Sequence, residues 1–369
     1  MTVAEILDTT VASGVLLALL VVTALLWWRD HRALRRTRER AELLTPVILP
    51  SPPEETTPRP QRAAMIVNPA KFADLDDAAQ QRRRAYVDAV FRSHGWADPL
   101  WLSTTVADPG PGQAREALTA GVDVVVACGG DGTVRAVAEA MAGSEVPMAL
   151  LPAGTGNLLA RNLDVPHADL AKALDLIFTA PDRRIDVGRL RVNRTGKDTE
   201  VESFVFLVMA GMGFDAAMVA GAPPRLKQRL GYGAYVVSGA RALWGPQARV
   251  RMRIDDGEPF SLRTRAVVVG NCGKLTRSLV LMPAAEIDDG LLDAVAISPR
   301  GGIGWGEVAW AILTRDRRGQ RRVQHLRGVR MSVVSEQAQE VQLDGDPIGP
   351  ARRLDVEVDA GALLVRAPG

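Results

Sequence analysis

From residue 64 onward the apolar positions follow two periods in turn. Solid apolar runs at 64–67, 100–103, 122–128 and 148–151 read as short buried strands. Between them, apolar residues three and four apart at 77–92, 113–119 and 133–141 predict helices. In the last of these Val134, Val137 and Met141 share one face. Strand and helix in alternation predict a parallel sheet covered on both faces. Ligands of such sheets bind beyond the carboxyl ends of the strands. That rule puts Asn68, Thr105, 129–131 and 154–157 along one edge.

Past residue 185 the texture changes. Short β-like runs crowd together at 204–209, 250–254, 264–269, 292–297, 329–334 and 340–343, interrupted by a helical pattern at 226–243. They predict a β-sandwich-like second domain. Two last runs, 354–358 and 363–366, are expected to return to the first domain. The expected division is an α/β domain at 63–185, with a return at 350–369, and a β-rich domain at 186–349.

A different pattern precedes all this. Residues 11–28 are uncharged and apolar, a run of about 18 residues near the lower limit for crossing a bilayer. Trp27 and Trp28 close it, and Arg29, Arg32, Arg35, Arg36, Arg38 and Arg40 follow. This predicts an N-terminal single transmembrane helix within 1–44, in the cell membrane, with the catalytic part cytoplasmic. A cleaved signal peptide would need a basic start and a small-residue cleavage site, which are missing. The Pro-rich stretch 45–62 reads as a linker.

Composition changes this picture little. The 369 residues suffice for two domains with cores. A net charge of +2, with no long basic stripe in the globular part, speaks against nucleic acid as a partner. Cys128 and Cys272 each follow an apolar run and read as buried free thiols, not a disulfide or zinc pattern. The histidines, at 31, 94, 167 and 325, form no ligand pair.

The chemistry concentrates in two loops. The strand at 122–128 runs into Gly129, Gly130, Asp131, Gly132 and Thr133, with a helix behind them. Glycines at a strand end let backbone N–H groups approach a ligand closely. A helix start adds unpaired donors and partial positive charge. Such a site suits phosphate oxygens, with Asp131 placed to hold a metal or orient a nucleotide. The second loop, with Gly154, Thr155, Gly156 and Asn157, also joins a strand to a helix, and Asn157 can cap that helix. Either loop alone reads as a turn; together they predict one shared phosphate site. Neither fits the P-loop pattern. The Gly211–Ala216 glycine pattern lacks the βαβ unit of a dinucleotide site.

In this order the motifs resemble the diacylglycerol kinase catalytic family, which includes bacterial lipid kinases and sphingosine kinases. Asn68-Pro69 resembles its opening turn, 129–133 its nucleotide loop and 152–161 its second loop. Residues 213–216, Asn271, 283–293 and 343–346 resemble its later segments. The resemblance implies an α/β nucleotide domain like that of NAD kinase and phosphofructokinase, plus a β-rich lipid-binding domain. It implies an ATP- and Mg2+-dependent kinase acting on a lipid hydroxyl in the membrane, foremost diacylglycerol, giving phosphatidic acid. Asn68, Thr105, Gly129, Gly130, Asp131, Gly132, Thr133, Gly154, Thr155, Gly156 and Asn157 would hold the nucleotide. Asp131 would be needed for Mg-ATP, and Asp346 would be the proton acceptor. Asp289, with main-chain oxygens of Glu286 and Leu291, would hold a structural metal. Sphingosine or ceramide, a soluble substrate of the NAD-kinase type, and a non-catalytic lipid-binding role are the alternatives, and a homodimer stays open.

Five residues depart from the family pattern. Asp346 stands for the usual Glu, and Leu158 for the Asp of bacterial enzymes. Arg135 stands for the usual Asn, and Ala70-Lys71 for Ser-Gly. Lys71 either reaches a phosphate or stays on the surface.

Overall fold

The strand-forming runs of the first half assemble in parallel, as their apolar solidity requires. A computed structural model describes residues 59–195, 201–213, 247–274, 280–298 and 323–368. The apolar run 11–28, the linker up to residue 58, the helical pattern at 226–243 and Phe214–Ala216 lie outside the described residues. Among the described residues no helix is long and apolar enough to cross a membrane.

The first half comprises β1 (Ala63–Val67), α1 (Asp77–Ser93), β2 (Leu100–Ser103), α2 (Pro111–Thr119), β3 (Val124–Gly129), α3 (Asp131–Met141), β4 (Met148–Pro152), α4 (Leu158–Asn162) and α5 (Leu170–Thr179). The strands lie in the order β4-β3-β1-β2, all parallel. Their period of two sorts side chains between two cores. Ala64, Ile66, Val125 and Ala127 face α2 and α3 residues such as Ala114, Val137 and Met141. Met65, Val124, Val126 and Cys128 face Val87 and Phe91 of α1 and Leu174 and Ile177 of α5. Both faces are therefore covered. Helix α5 was not expected from the sequence pattern; the Asp169 carboxylate caps it by accepting from Lys172 N at 3.1 Å.

The second half comprises β5 (Asp182–Asn193), β6 (Val201–Phe206), β7 (Met209–Gly213), β8 (Ala248–Ile254), β9 (Phe260–Thr264), β10 (Ala266–Gly270), β11 (Leu292–Ile297), β12 (Val323–Gly328), β13 (Arg330–Leu343) and β14 (Asp346–Arg366). These strands pair antiparallel around a core of Leu190, Phe206, Met212, Met252, Val333 and Leu354. The result is an α/β domain joined to a β-sandwich. Strand β14 makes the join. It pairs with β13 at one end, with β5 along most of its length, and ends parallel to β4 through Val365↔Met148.

Several boundaries differ from the pattern reading. The run 204–209 is broken at Leu207–Val208. The N–H groups of Leu207, Val208 and Met209 point at the Asp344 carboxylate (3.2, 2.9 and 3.0 Å) instead of a strand partner. The runs 329–334 and 340–343 fuse into β13, and 354–358 and 363–366 into β14, because β-bulges carry pairing across the polar gaps. Cys128 and Cys272 are buried and unpaired.

Candidate active site

The carboxyl ends of β1, β3 and β4 lie side by side, and the segments leaving them interlock. Asn68, after β1, caps the turn Pro69–Lys71 by accepting from Ala70 N at 3.1 Å. Its amide donates to Thr133 Oγ1 at 3.0 Å, tying that turn to the first turn of α3. Gly129 is buried beneath Thr133; a Cβ on it would lie 2.5 Å from Thr133 Cβ. Helix α3 begins at Gly130 with no side-chain cap, so no side chain competes for its first N–H groups.

The second loop touches the first. A Cβ on Gly154 would lie 2.7 Å from Gly130 Cα, so the contact needs a glycine at 154. The buried Asn157 is left-handed (φ 49°) and closes the loop on itself: its Oδ1 accepts from Gly154 N (2.9 Å) and its Nδ2 donates to Gly154 O (2.7 Å). Asp131 then binds the loops together. Its two oxygens accept from Asn157 N (2.9 Å) and Leu158 N (2.5 Å), so a side chain of α3 caps α4. Gly156 leaves the room this needs, since a Cβ there would meet Asp131 Oδ2 at 2.5 Å. Burial pushes the Asp131 carboxyl up to about 6, against the pull of the Leu158 N–H, with Asp344 and Asp346 adding repulsion.

The β-sandwich supplies the opposite wall. Asp344 (φ 47°) and Gly345 (φ 90°) form a two-residue hairpin turn between β13 and β14. Asp344 is buried and serves the three N–H groups of 207–209. Burial raises its pKa, with Arg135 opposing. Asp346, next along, is 54% exposed. Its Oδ2 lies 3.3 Å from the point a Gly132 Cβ would occupy, over the first turn of α3. Arg135 of α3 reaches the same hairpin: Nη1 donates to Leu343 O at 2.9 Å, and Nη2 lies 3.5 Å from Asp346 Oδ2.

The structure thus brings together Asn68, Gly129–Thr133, Gly154–Asn157 and Asp346. Thr155 is exposed at the loop tip. Thr105 stands apart at the end of the edge strand β2, where it closes its own loop: its N donates to Asp108 O and its Oγ1 accepts from Asp108 N. Lys71 belongs with the glycine loops. Its Nζ lies 3.6 Å, and its Cε 3.3 Å, from the point a Gly130 Cβ would fill. Arg161 also reaches the second loop, its Nε donating to Gly156 O at 2.6 Å. For Arg135 and Lys71 the signal was their departure from the family pattern.

Of the expected metal residues Glu286, Asp289 and Leu291, Asp289 has both carboxylate oxygens engaged within the protein. Asp289 Oδ1 accepts from Leu291 N at 3.0 Å, and Oδ2 is paired with the Arg327 guanidinium. Both oxygens are taken, one by a positive charge. Among the described residues no three His, Cys, Asp or Glu side chains gather as metal ligands. The segment is organised instead by the buried Asp186, whose oxygens accept from Gly290 N and Gly361 N, each at 2.7 Å. The sequence reading missed Asp186; its signal was an acid set between the apolar residues Ile185 and Val187.

Residues 64–190 match the diacylglycerol kinase catalytic domain, and residues 207–367 match the YegS C-terminal NAD kinase beta sandwich-like domain. A Pseudomonas putida protein named "Probable lipid kinase YegS-like" is 33% identical over 319 residues, covering 84% of this chain and 99% of the relative. The chain belongs to the YegS-like lipid kinases. A namesake from Pseudomonas aeruginosa is 34% identical over 266 residues, 69% of this chain and 80% of its own. The fold is that of a diacylglycerol kinase from Bacillus anthracis (TM-score 0.60, 20% identity, 85% of this chain and 98% of that one). The two domain matches and the family make this YegS-like protein a kinase acting on lipid, with ATP as the phosphoryl donor.

The family also corrects the expected localisation. The P. putida relative is matched over 99% of its length by 84% of this chain. The expectation of a single-pass cell-membrane protein with a transmembrane helix is corrected to this: the family match carries no membrane span, and among the described residues, which do not include 11–28, no helix is long and apolar enough to cross a membrane.

Proposed function

We propose that this YegS-like kinase phosphorylates the free hydroxyl of diacylglycerol, yielding phosphatidic acid. One observation carries the reading: the two glycine loops touch, and Asp346 faces the same helix start from the other half of the molecule. In this reading the residues of 63–185 bind the nucleotide and those of 186–349 bind the lipid. The triphosphate lies across the first-turn N–H groups of α3 and the loop 154–157, where helix polarity favours its charge. Asn68, Thr133 and Asp131 keep the loops in that shape. Thr105 and Thr155 line the flanks. Mg2+ enters with ATP and neutralises charge on the transferring phosphates.

Asp346 accepts the proton of the acceptor hydroxyl as its oxygen attacks the γ-phosphorus. A new P–O bond forms, the bond to the β,γ-bridging oxygen breaks, and ADP leaves. The catalytic effort is positioning and charge stabilisation. Labelled γ-phosphate should pass from ATP to diacylglycerol in mixed vesicles. Asp346→Asn should lower kcat by about 10²–10⁴-fold. Ceramide, sphingosine and NAD run in parallel distinguish the alternatives. Label in ceramide or sphingosine would reassign the lipid, in keeping with Leu158. Label in NAD alone would remove the lipid acceptor.

A further inference from the structure

Arg135 is a long side chain where the resembling family commonly has Asn, and Asp346 is a short acid where it has Glu. The structure sets these two departures against each other. The guanidinium reaches from α3 to a hairpin 208 residues later in the chain and is only 18% exposed. Its Nη1 donates to Leu343 O at 2.9 Å and lies 3.8 Å from Asp344 Oδ2; its Nη2 lies 3.5 Å from Asp346 Oδ2. Asp344 is itself fixed by three backbone N–H groups. The carbonyl and the buried acid therefore hold one edge of the fork, and the other edge is aimed at Asp346. Among the described residues Arg135 is the one charged partner of Asp346.

The charge balance gives this contact a purpose. Asp131, Asp344 and Asp346 are near enough for the last two to raise the first. Lys71 adds a positive charge on the Gly130 side, away from the hairpin. The guanidinium beside Asp346 is planar and permanently charged, so it sets a fixed positive charge against the outer face of that carboxylate.

We infer that Arg135 is a positioning residue for Asp346, drawing the shortened acid toward the first turn of α3, where the acceptor hydroxyl must meet the nucleotide. This rests on the proton-acceptor reading of Asp346. The long cation makes up for the missing methylene.

Kinase assays on diacylglycerol vesicles test this, with melting temperature recorded for each variant. Arg135→Gln should lower kcat about tenfold or more and leave KM for ATP within about twofold. Arg135→Lys, which keeps the charge but not the planar fork, should retain more of kcat than Arg135→Gln. The pair Arg135→Asn with Asp346→Glu should recover activity lost in Arg135→Asn alone. Unchanged kcat in both single variants, with only the melting temperature lowered, would reduce Arg135 to a clamp between the two halves. Activity surviving in Asp346→Asn would instead overturn the proton-acceptor reading itself.

Discussion

Asp131 does with one side chain what a helix cap and a loop fastener do separately. It accepts from the N–H groups of Asn157 and Leu158 while belonging to the first turn of another helix. Its folded pKa of about 6 lies above its ordinary value of 3.8. Folding therefore favours the protonated form. The stability this lends is complete below about pH 4 and is lost as pH rises through about 6. The melting temperature of the parent relative to Asp131→Asn should accordingly fall between about pH 4 and pH 7. A flat difference across that range would refute the shift. Gly154 carries a second prediction. A methyl there would lie 2.7 Å from Gly130 Cα and 2.9 Å from Asn157 Oδ1, with only the backbone to give way on one side. Gly154→Ala should cost about 1–3 kcal/mol and weaken binding of a nonhydrolysable ATP analogue, as measured by calorimetry. Gly130→Ala meets its neighbours at 3.3–3.4 Å, one of them the flexible Lys71, and should be milder. The glycine spacing announced that both loops bring backbone close to something. That the something is partly the other loop depends on two strand ends lying side by side.

At the scale of elements, the helices and strands of the first half, α5 excepted, were legible because each answers to one local period. Strand β2 spans Leu100–Ser103 and α1 begins at Asp77, as the apolar spacing predicts. Elements of the second half were less legible, because what ends them is not local. The break at Leu207–Val208 exists because a carboxylate 136 residues away takes the N–H of Val208. Helix α1 gives an element-scale prediction. Phe91 is fully buried and packs edge-on against Trp96 and Phe178. Phe91→Ala should destabilise by about 3–5 kcal/mol in denaturant unfolding. It should leave KM for ATP near the parent value in the folded fraction, because α1 holds the far face of the sheet and not its loop edge.

At the scale of the molecule, β14 is the member on which both halves depend. Its last residues pair with β5 and β4, and Leu363 and Val365 are fully buried in the α/β core. Gly361 N also closes on Asp186, which holds Gly290 as well. A chain ending at residue 359 should lose the cooperative unfolding transition of both halves, not of the sandwich alone. Circular dichroism and limited proteolysis would read this, and a nucleotide-binding part left intact would contradict it. Asp346 reaches α3 only because the start of this same strand lies over the end of the parallel sheet.

The amino-acid pattern by itself determined the parallel sheet, the two glycine loops, the β-rich second half and the family, because each is written in short-range periodicity or contiguous motif. It did not foresee that Arg327 pairs with Asp289. Tertiary structure alone decided that Asp131 joins two loops, that Asp186 holds a segment assigned to metal, and that Arg135 meets Asp346. Those pairings are set by how distant strands come into register, and charge neutralisation between residues so far apart in sequence leaves no local periodicity to read.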